Sequence, residues 1–295
     1  MLSVACIQLS AGADMAKNIA RAGELIAQAA SQGATFITTP ENCFLMDEAG
    51  ASRSYYTQDN HPGILAAQGW AKQFGVWILL GSVAVQAGGG QQTAEPSARE
   101  AAPHASDSSR AAGANKQYNR SMLINPQGAI AAVYDKIHLF DVDVPNDRRY
   151  AESDRFLSGD KAVAADMEDG WKLGMTICYD VRFPHLYRTL SHAGANIIAV
   201  PAAFTAVTGE AHWHTLLRAR AIENGCYIIA PAQTGTHPAN RKTHGHSLII
   251  DPWGRVVADG GTEEGVVMAQ IDLVEVQKIR TRLPSLAHDR PFKLL

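Results

Sequence analysis

The segment Gly174-Met-Thr-Ile-Cys-Tyr-Asp-Val-Arg-Phe-Pro184 constrains the fold of this chain more than any other. The apolar run from Leu173 to Ile177 predicts a buried strand. Pro184 favours the first turn of a helix, because proline has no N–H to lose there. Cys178 is therefore expected on a sharp turn between a strand and a helix, where the free N–H groups of the helix N-terminus favour negative charge.

Taken alone, this cysteine has a simpler explanation. A single cysteine after an apolar strand is usually a small core residue. The segment by itself favours that explanation, so a catalytic role for Cys178 depends on other parts of the chain.

Size and composition exclude several classes of protein. The 295 residues, 46% of them hydrophobic, are enough for a sizeable core. The net charge of −3 offers no basic surplus for nucleic acid, and no apolar stretch reaches the roughly 20 residues that span a bilayer. The N-terminus lacks a signal-peptide pattern, and four widely spaced cysteines indicate reduced thiols. We therefore predict a cytoplasmic protein with neither nucleic acid nor membrane as a partner.

Strand and helix patterns alternate along the chain, with hairpins between them. This alternation predicts one α/β (α+β) domain with mostly buried sheets, expected to cover residues 1–275. Residues 276–295 are expected to form a helix end and a tail that could contact a neighbouring subunit. The patterns also predict a helix over 62–74, a polar loop over 141–159 and a helix over 212–224.

Residues 86–116 interrupt this pattern. They are rich in Gly, Ala, Ser, Gln and Pro and have almost no large apolar side chains. Such a segment cannot bury enough surface to offset its ordering entropy, so it predicts a flexible surface insertion. A functional lid is the alternative.

Three polar side chains, Glu41, Lys136 and Cys178, follow apolar segments that lie far apart in the chain. Sites in α/β folds gather at the carboxyl ends of strands. A carboxylate, an ammonium and a thiol meeting there could transfer an acyl group: Glu41 would take the thiol proton, and Lys136 would stabilise the oxyanion. The alternative is that Glu41 and Lys136 are solvated strand ends or a structural ion pair.

Three motifs, in this order, resemble the nitrilase superfamily of carbon–nitrogen hydrolases. They are Thr39-Pro-Glu-Asn42, Tyr134-Asp-Lys-Ile-His-Leu-Phe140 and the segment around Cys178. The resemblance implies a four-layer αββα sandwich and a triad of Glu41, Lys136 and Cys178. It also implies that Glu152 positions the lysine and the substrate. The alternative for Glu152 is a surface carboxylate, because residues 146–149 depart from the usual Gly-containing loop.

The second half of the chain is similar to the branch that contains deaminated glutathione amidase and ω-amidase, which acts on 2-oxoglutaramate. This likeness rests on residues 201–214, 217–227 and 245–254, and it implies hydrolysis of the terminal amide of a small 2-oxo acid. Residues 221–224 and 232–237 are more similar to deaminated glutathione amidase, so the resemblance implies deaminated glutathione as the substrate, with 2-oxoglutaramate as the alternative. In the implied mechanism the thiol attacks the amide, and the backbone N–H of Tyr179 assists at the oxyanion. No metal or cofactor is implied. Arg182 and Arg218 are candidates for binding substrate carboxylates, although pairing with Asp180 or Glu223 is the alternative for them.

The chain has eleven histidines, which raises the question of a metal site. His212 and His214 are two residues apart, so on a helix they point in different directions. His237, His244 and His246 could converge near a loop, but no HExxH motif and no close carboxylate accompanies them. We therefore predict no metal site.

Other functions remain as alternatives. Another amidase of the superfamily, such as an N-carbamoyl hydrolase, would share the same three residues. A catalytically silent scaffold is the non-enzyme alternative, and the intact trio argues against it. A serine hydrolase is disfavoured, because Gly245-His-Ser-Leu-Ile249 lacks the final glycine of GxSxG. The resemblance also implies a homodimer or higher homo-oligomer, with contacts through the helices after Cys178 and Trp213.

Overall fold

The computed structural model describes residues 1–47, 56–87, 116–144 and 147–294. Within these ranges the helices are α1 (Met15–Ser31), α2 (Pro62–Phe74), α3 (Pro184–His192), α4 (Ala206–Asn224) and α5 (Leu273–Arg282). The strands are β1 (Leu2–Gln8), β2 (Phe36–Thr38), β3 (Trp77–Gln86), β4 (Gln117–Ile124), β5 (Ile130–Asp135), β6 (Asp141–Asp143), β7 (Arg149–Ala151), β8 (Phe156–Leu157), β9 (Val163–Asp166), β10 (Lys172–Met175), β11 (Ile197–Ala199), β12 (Tyr227–Ala230), β13 (Thr234–Thr236), β14 (Lys242–His244), β15 (Leu248–Ile250), β16 (Val256–Asp259) and β17 (Gly265–Ile271). Most of the predicted insertion, residues 88–115, lies outside the described residues.

Two sheets pack face to face at the centre of the molecule. One has the strand order β17-β1-β2-β3-β4-β5, with β8 beside β4, and the other has the order β16-β15-β12-β11-β10-β9. Helices α1 and α2 cover the outer face of the first sheet, and α3 and α4 cover that of the second. The α/β fold is thus confirmed, in the αββα arrangement that the resemblance implied.

Strand β1 shows why the segment that forms it is almost continuously apolar. Val4 and Cys6 pack in the core between the sheets, while Ala5 and Ile7 pack in the core beneath α1 and α2. All four are fully buried. A strand covered on both faces needs no polar side, which is how the central strands of this protein support two cores at once.

The helix predicted over 62–74 matches α2, which begins at Pro62 and ends before Gly75 with a left-handed φ of 64°. Helix α4 begins at residue 206, six residues before the predicted start. The Thr205 hydroxyl caps it by accepting from the N–H of Thr208 at 3.4 Å. The helix pattern is weak there because Thr208 is β-branched and Gly209 lowers helix propensity.

The prediction of a polar loop over 141–159 is wrong in part. Strands β6 and β7 pair with each other in this segment, and β8 joins β4. Strands of two or three residues are too short to show an alternating pattern. This segment matters because it brings Glu152 over the end of β5.

The C-terminal helix α5 is attached to the main body. Arg280 donates to the carbonyl oxygens of Gly225 at 3.0 Å and Ala195 at 2.6 Å. A role for residues 276–295 at a subunit interface stays a prediction. Of the helices in the described ranges, none combines the length and apolar character required to cross a membrane.

Candidate active site

Cys178 lies on a strained turn between β10 and α3. Its φ of 48° is in the left-handed region, which costs a residue with a side chain about 1–2 kcal/mol. The Cys178 N–H donates to the Pro201 carbonyl at 2.9 Å, and the Ile177 N–H donates to the Asp180 carboxylate at 2.8 Å. These bonds hold the turn, and Pro184 then begins α3 as predicted.

Lys136 directly follows β5 and is almost completely buried. The backbone N–H of Lys136 donates to the Asn119 carbonyl at 3.0 Å, and the backbone carbonyl of Lys136 accepts from the Gly159 N–H at 2.8 Å. Gly159 is required at this contact, since a Cβ there would lie 2.2 Å from the Asp135 carbonyl oxygen. The Lys136 backbone is therefore anchored on both sides.

Glu41 follows β2 and is 3% exposed. Its Oε1 accepts from Lys136 Nζ at 2.8 Å, and its Oε2 accepts from the Ala203 N–H at 2.9 Å. The carboxylate lines the same cavity as Cys178, and its negative charge acts on the thiol. Gly81 lets this loop lie against β3, because a Cβ there would be 1.9 Å from the Thr39 carbonyl oxygen. The structure thus brings together the three side chains that the sequence singled out.

Glu152 joins the same cluster. Its two carboxylate oxygens lie 3.0 and 2.8 Å from Lys136 Nζ, and the Phe140 N–H donates to Oε2 at 2.7 Å. The side chain is 14% exposed, so Glu152 is not a solvated surface carboxylate. Lys136 is consequently held between two carboxylates.

Asn119 is a member of the cluster that the sequence argument missed. Its amide Nδ2 donates to Glu41 Oε1 at 2.9 Å and to Glu152 Oε1 at 3.0 Å, and the residue is fully buried in β4. It belongs to no motif that we recognised. The sequence of β4 shows only that a polar residue stands among residues expected to be buried.

The charges in this cluster depend on one another. Burial would raise the pKa of Glu41, but the charge and hydrogen bond of Lys136, together with the hydrogen bond from the Ala203 N–H, hold that pKa below its usual value. Burial works against the charge of Lys136, yet Glu152 and Glu41 raise its pKa. Burial, followed by the negative charge of Glu41, raises the pKa of Cys178 well above its usual value. The resting cluster therefore contains an ionised Glu41–Lys136 pair beside a neutral thiol.

A cavity of about 310 Å³ opens onto the cluster. Glu41, Lys136, Glu152 and Cys178 all contribute to its lining, together with aromatic and cationic side chains. The aromatic, histidine and cationic residues of the lining include Phe44, His61, Phe140, Arg148, Arg149, Tyr150, Arg155, Tyr179 and Arg241. A small molecule that enters this space reaches the thiol.

His61 contributes a neutral ring to the lining. Its Nδ1 accepts from the Gly63 N–H at 3.1 Å, so the proton of the neutral ring is assigned to Nε2. Burial lowers the pKa of His61 to about 4. The ring is thus uncharged near neutral pH, with an N–H donor on its second nitrogen.

The two arginines proposed from sequence lie outside the cavity lining in the described part of the chain. Arg182 lies over the rings of Tyr179 and Phe204 and hydrogen-bonds to His212. Arg218 donates to the Gly254 carbonyl at 2.8 Å. Their positions differ from the prediction because the loops between β5 and β9, and between β13 and β14, supply the cavity's cations instead.

The remaining cysteines are packing residues. Cys6, Cys43 and Cys226 are fully buried, and burial raises the pKa of each thiol to about 12. All four cysteines of the chain are free, and Cys178 is the one that lines the cavity. A thiol nucleophile at this site can therefore come from Cys178 alone.

Comparisons with known proteins agree with this geometry. A protein of Synechocystis named deaminated glutathione amidase is 40% identical over 285 residues, which is 96% of each chain. A protein of the same name from Yersinia enterocolitica is 39% identical and covers 98% of this chain and 93% of its own. The crystal structure of the C. elegans NitFhit protein superposes with a TM-score of 0.82 at 31% identity; the match covers 98% of this chain and 65% of that one. The carbon-nitrogen hydrolase family matches residues 3–281, and this chain therefore belongs to that family.

Proposed function

We propose that this protein is an amidase that hydrolyses the terminal amide of a 2-oxo acid, and that its substrate is deaminated glutathione. The observation that carries the proposal is the buried cluster in which the thiol of Cys178, the carboxylate of Glu41 and the ammonium of Lys136 share one cavity. The relatives' printed name supports the choice of substrate.

In the first half of the reaction, Glu41 accepts the thiol proton as the sulfur of Cys178 attacks the amide carbon. Lys136 and the backbone N–H of Tyr179 stabilise the oxyanion that forms. Protonated Glu41 then gives its proton to the departing nitrogen, which leaves deaminated glutathione as the free amine of cysteinylglycine and would leave a primary amide such as 2-oxoglutaramate as ammonia. The product is a thioester on Cys178, and Glu41 is again ionised.

In the second half, Glu41 takes a proton from water, and the resulting hydroxide attacks the thioester carbon. The tetrahedral intermediate collapses and expels the sulfur, which recovers its proton from Glu41. Glu152 and Asn119 are positioning residues in this scheme, since their hydrogen bonds hold Lys136 and Glu41 in place. Because Lys136 stays protonated throughout, it acts as a fixed positive charge.

The charge of the cavity favours an anionic substrate. Beyond the Glu41–Lys136–Glu152 cluster, the described lining carries four arginines and one carboxylate, Asp47. Guanidinium groups bind carboxylates through paired hydrogen bonds. Deaminated glutathione carries a carboxylate beside its oxo group and another at its far end, so cations in the cavity would hold it by groups remote from the amide.

Release of 2-oxoglutarate, the product that deaminated glutathione and 2-oxoglutaramate share, tests the substrate assignment. We expect the largest kcat/KM for deaminated glutathione and a smaller value for 2-oxoglutaramate, with no turnover by Cys178→Ser. Intact-protein mass spectrometry after rapid acid quench should show the acyl group on wild-type protein. A preference for 2-oxoglutaramate would make the protein an ω-amidase, and carbon dioxide released with ammonia from carbamoyl substrates would mark an N-carbamoyl hydrolase. Release from none of them would favour the scaffold.

We also propose a homodimer or higher homo-oligomer located in the cytoplasm. Apolar side chains on α4 and on the turn before β16 support an interface there: Ile222 is 53% exposed and Trp253 is 55% exposed. Light scattering on the purified chain tests the assembly, and a monomer at micromolar concentration would contradict it.

A further inference from the structure

His214, His246 and Asp259 converge on one point of the surface. His214 lies on α4, His246 follows β14, and Asp259 is the last residue of β16. One ligand atom from each of the three lies within 4.8 Å of the other two. The expectation that no carboxylate accompanies the histidines is therefore wrong, because the β15–β16 hairpin returns Asp259 to them.

The interatomic distances suit a transition-metal ion. Asp259 Oδ2 lies 3.1 Å from His214 Nε2 and 3.2 Å from His246 Nδ1. Zinc binds imidazole nitrogen and carboxylate oxygen at about 2.0–2.2 Å, so adjacent ligand atoms of a tetrahedral site are roughly 3.3–3.5 Å apart. The two distances to Asp259 therefore need to change by only a few tenths of an ångström to match such a site.

The backbone holds these side chains in place without an ion. His246 has a left-handed φ of 54°, and its N–H donates to the Gly261 carbonyl at 2.6 Å. The Gly261 N–H in turn donates to Asp259 Oδ1 at 2.9 Å. These bonds fix two of the three ligands before an ion arrives, which lowers the entropy lost on binding.

A further histidine supports the cluster from β14. The ring of His244 stacks on that of His246 with centroids 4.7 Å apart. Its Nε2 is buried and has no hydrogen-bond partner among the residues that the structure describes. Gly209 allows α4 to approach this ring, since a Cβ at 209 would lie 2.3 Å from His244 Cβ. Helix α4 and β14 are thus brought close enough for His214 to face His246.

We propose that His214, His246 and Asp259 bind one zinc ion, with water as the fourth ligand. The side chains are 38%, 27% and 34% exposed, so the ion can enter from solvent. None of the three lines the cavity. The ion connects α4 to the β15–β16 hairpin, and the first turn of α4 borders the cavity at Thr208. Its effect is to stabilise the folded chain, because it binds the native arrangement of three distant residues.

Calorimetric titration of the full chain with zinc tests this site. We expect one ion per chain, with affinity at least about 100-fold weaker in His214→Ala, since loss of a supporting group alone costs 10–100-fold. Asp259→Asn should also weaken binding while keeping an acceptor for the Gly261 N–H. His192→Ala is the matched control: it breaks an exposed His–Asp pair, His192 to Asp289 at 2.7 Å, that belongs to no group of three possible metal ligands among the described residues. Its affinity for zinc should equal that of wild type.

The visible spectrum of bound Co²⁺ distinguishes a metal ion held by this site from one held by the thiol of Cys178. Co²⁺ bound by two imidazoles and a carboxylate gives visible bands without a sulfur-to-cobalt charge-transfer band. A sulfur band that disappears in Cys178→Ala would place the metal at Cys178 and overturn the proposal. Thermal melting gives an independent check: zinc should raise the Tm of wild type and His192→Ala but leave that of His214→Ala unchanged. Equal binding by wild type and His214→Ala, or no binding at micromolar zinc, would also overturn it.

Discussion

Tyr134 donates its phenolic O–H to the Asp180 carboxylate at 2.7 Å, and this bond ties the strand leading to Lys136 to the turn carrying Cys178. Asp180 is fully buried and also accepts from the N–H groups of Ile177 and His138. Burial, and then the charge of Asp180, raise the pKa of Tyr134, so the phenol keeps its proton. The separation of lysine and thiol therefore depends on a contact between two other residues.

We expect Tyr134→Phe to lower the free energy of unfolding by about 1.5–3 kcal/mol, because a buried hydrogen bond to a carboxylate is lost. Urea denaturation measures this change. Tyr150→Phe is the control, since its O–H bonds to Asp147 at the surface, and it should change stability by less than about 0.5 kcal/mol. Equal losses in the two variants would contradict the role assigned to the Tyr134–Asp180 bond.

Lys136→Ala should reduce kcat by at least about 10²–10³, the usual effect of losing one oxyanion donor. The same change leaves Glu41 and Glu152 buried without their cation, so stability should also fall, by about 3–5 kcal/mol. Steady-state release of 2-oxoglutarate and urea denaturation measure the two effects. Lys172→Ala, which removes an ion pair with the exposed Asp166, should keep wild-type activity. Near-normal turnover by Lys136→Ala would end its assignment to the oxyanion.

The lowered pKa of Glu41 predicts how the free energy of unfolding depends on pH. Its pKa in the folded protein is lower than the ordinary value of 4.5, so its ionised form stabilises the fold. That contribution is complete above the ordinary value and is lost as the pH falls through the lowered pKa. Urea denaturation between pH 3 and pH 7 measures the difference in free energy of unfolding between wild type and Glu41→Gln. This difference should stay constant above the ordinary pKa of 4.5 and decrease as the pH falls below it. The exposed Glu263→Gln serves as the control, and a gap that widens as acid is added would contradict this sign.

His61 should remain neutral throughout the physiological range. Its pKa is lowered to about 4 by burial, so its ring proton signals should shift only near that pH in an NMR titration. His61→Asn assigns the signal, because asparagine can still cap α2. A His61 signal that moved between pH 6 and pH 7 would show that the ring is more solvated than the structure indicates.

The local elements could be predicted because their signals are short in range. Pro62 and Gly75 mark both ends of α2, and the apolar run before Cys178 marks β10. The segment over 141–159 could not be predicted in the same way. Its strands are too short for periodicity, and each exists only because a partner strand lies beside it.

The sequence by itself determined the kinds of side chain available for chemistry and their positions at the ends of strands, with Glu41, Lys136 and Cys178 as the result. Only the tertiary structure decided that Asn119 bridges two carboxylates, that Arg148 and Arg241 rather than Arg218 line the cavity, and that Asp259 meets His246. The physical reason is the range of the interactions. Turns and caps are set by neighbours along the chain, whereas these contacts depend on how two sheets and their loops pack.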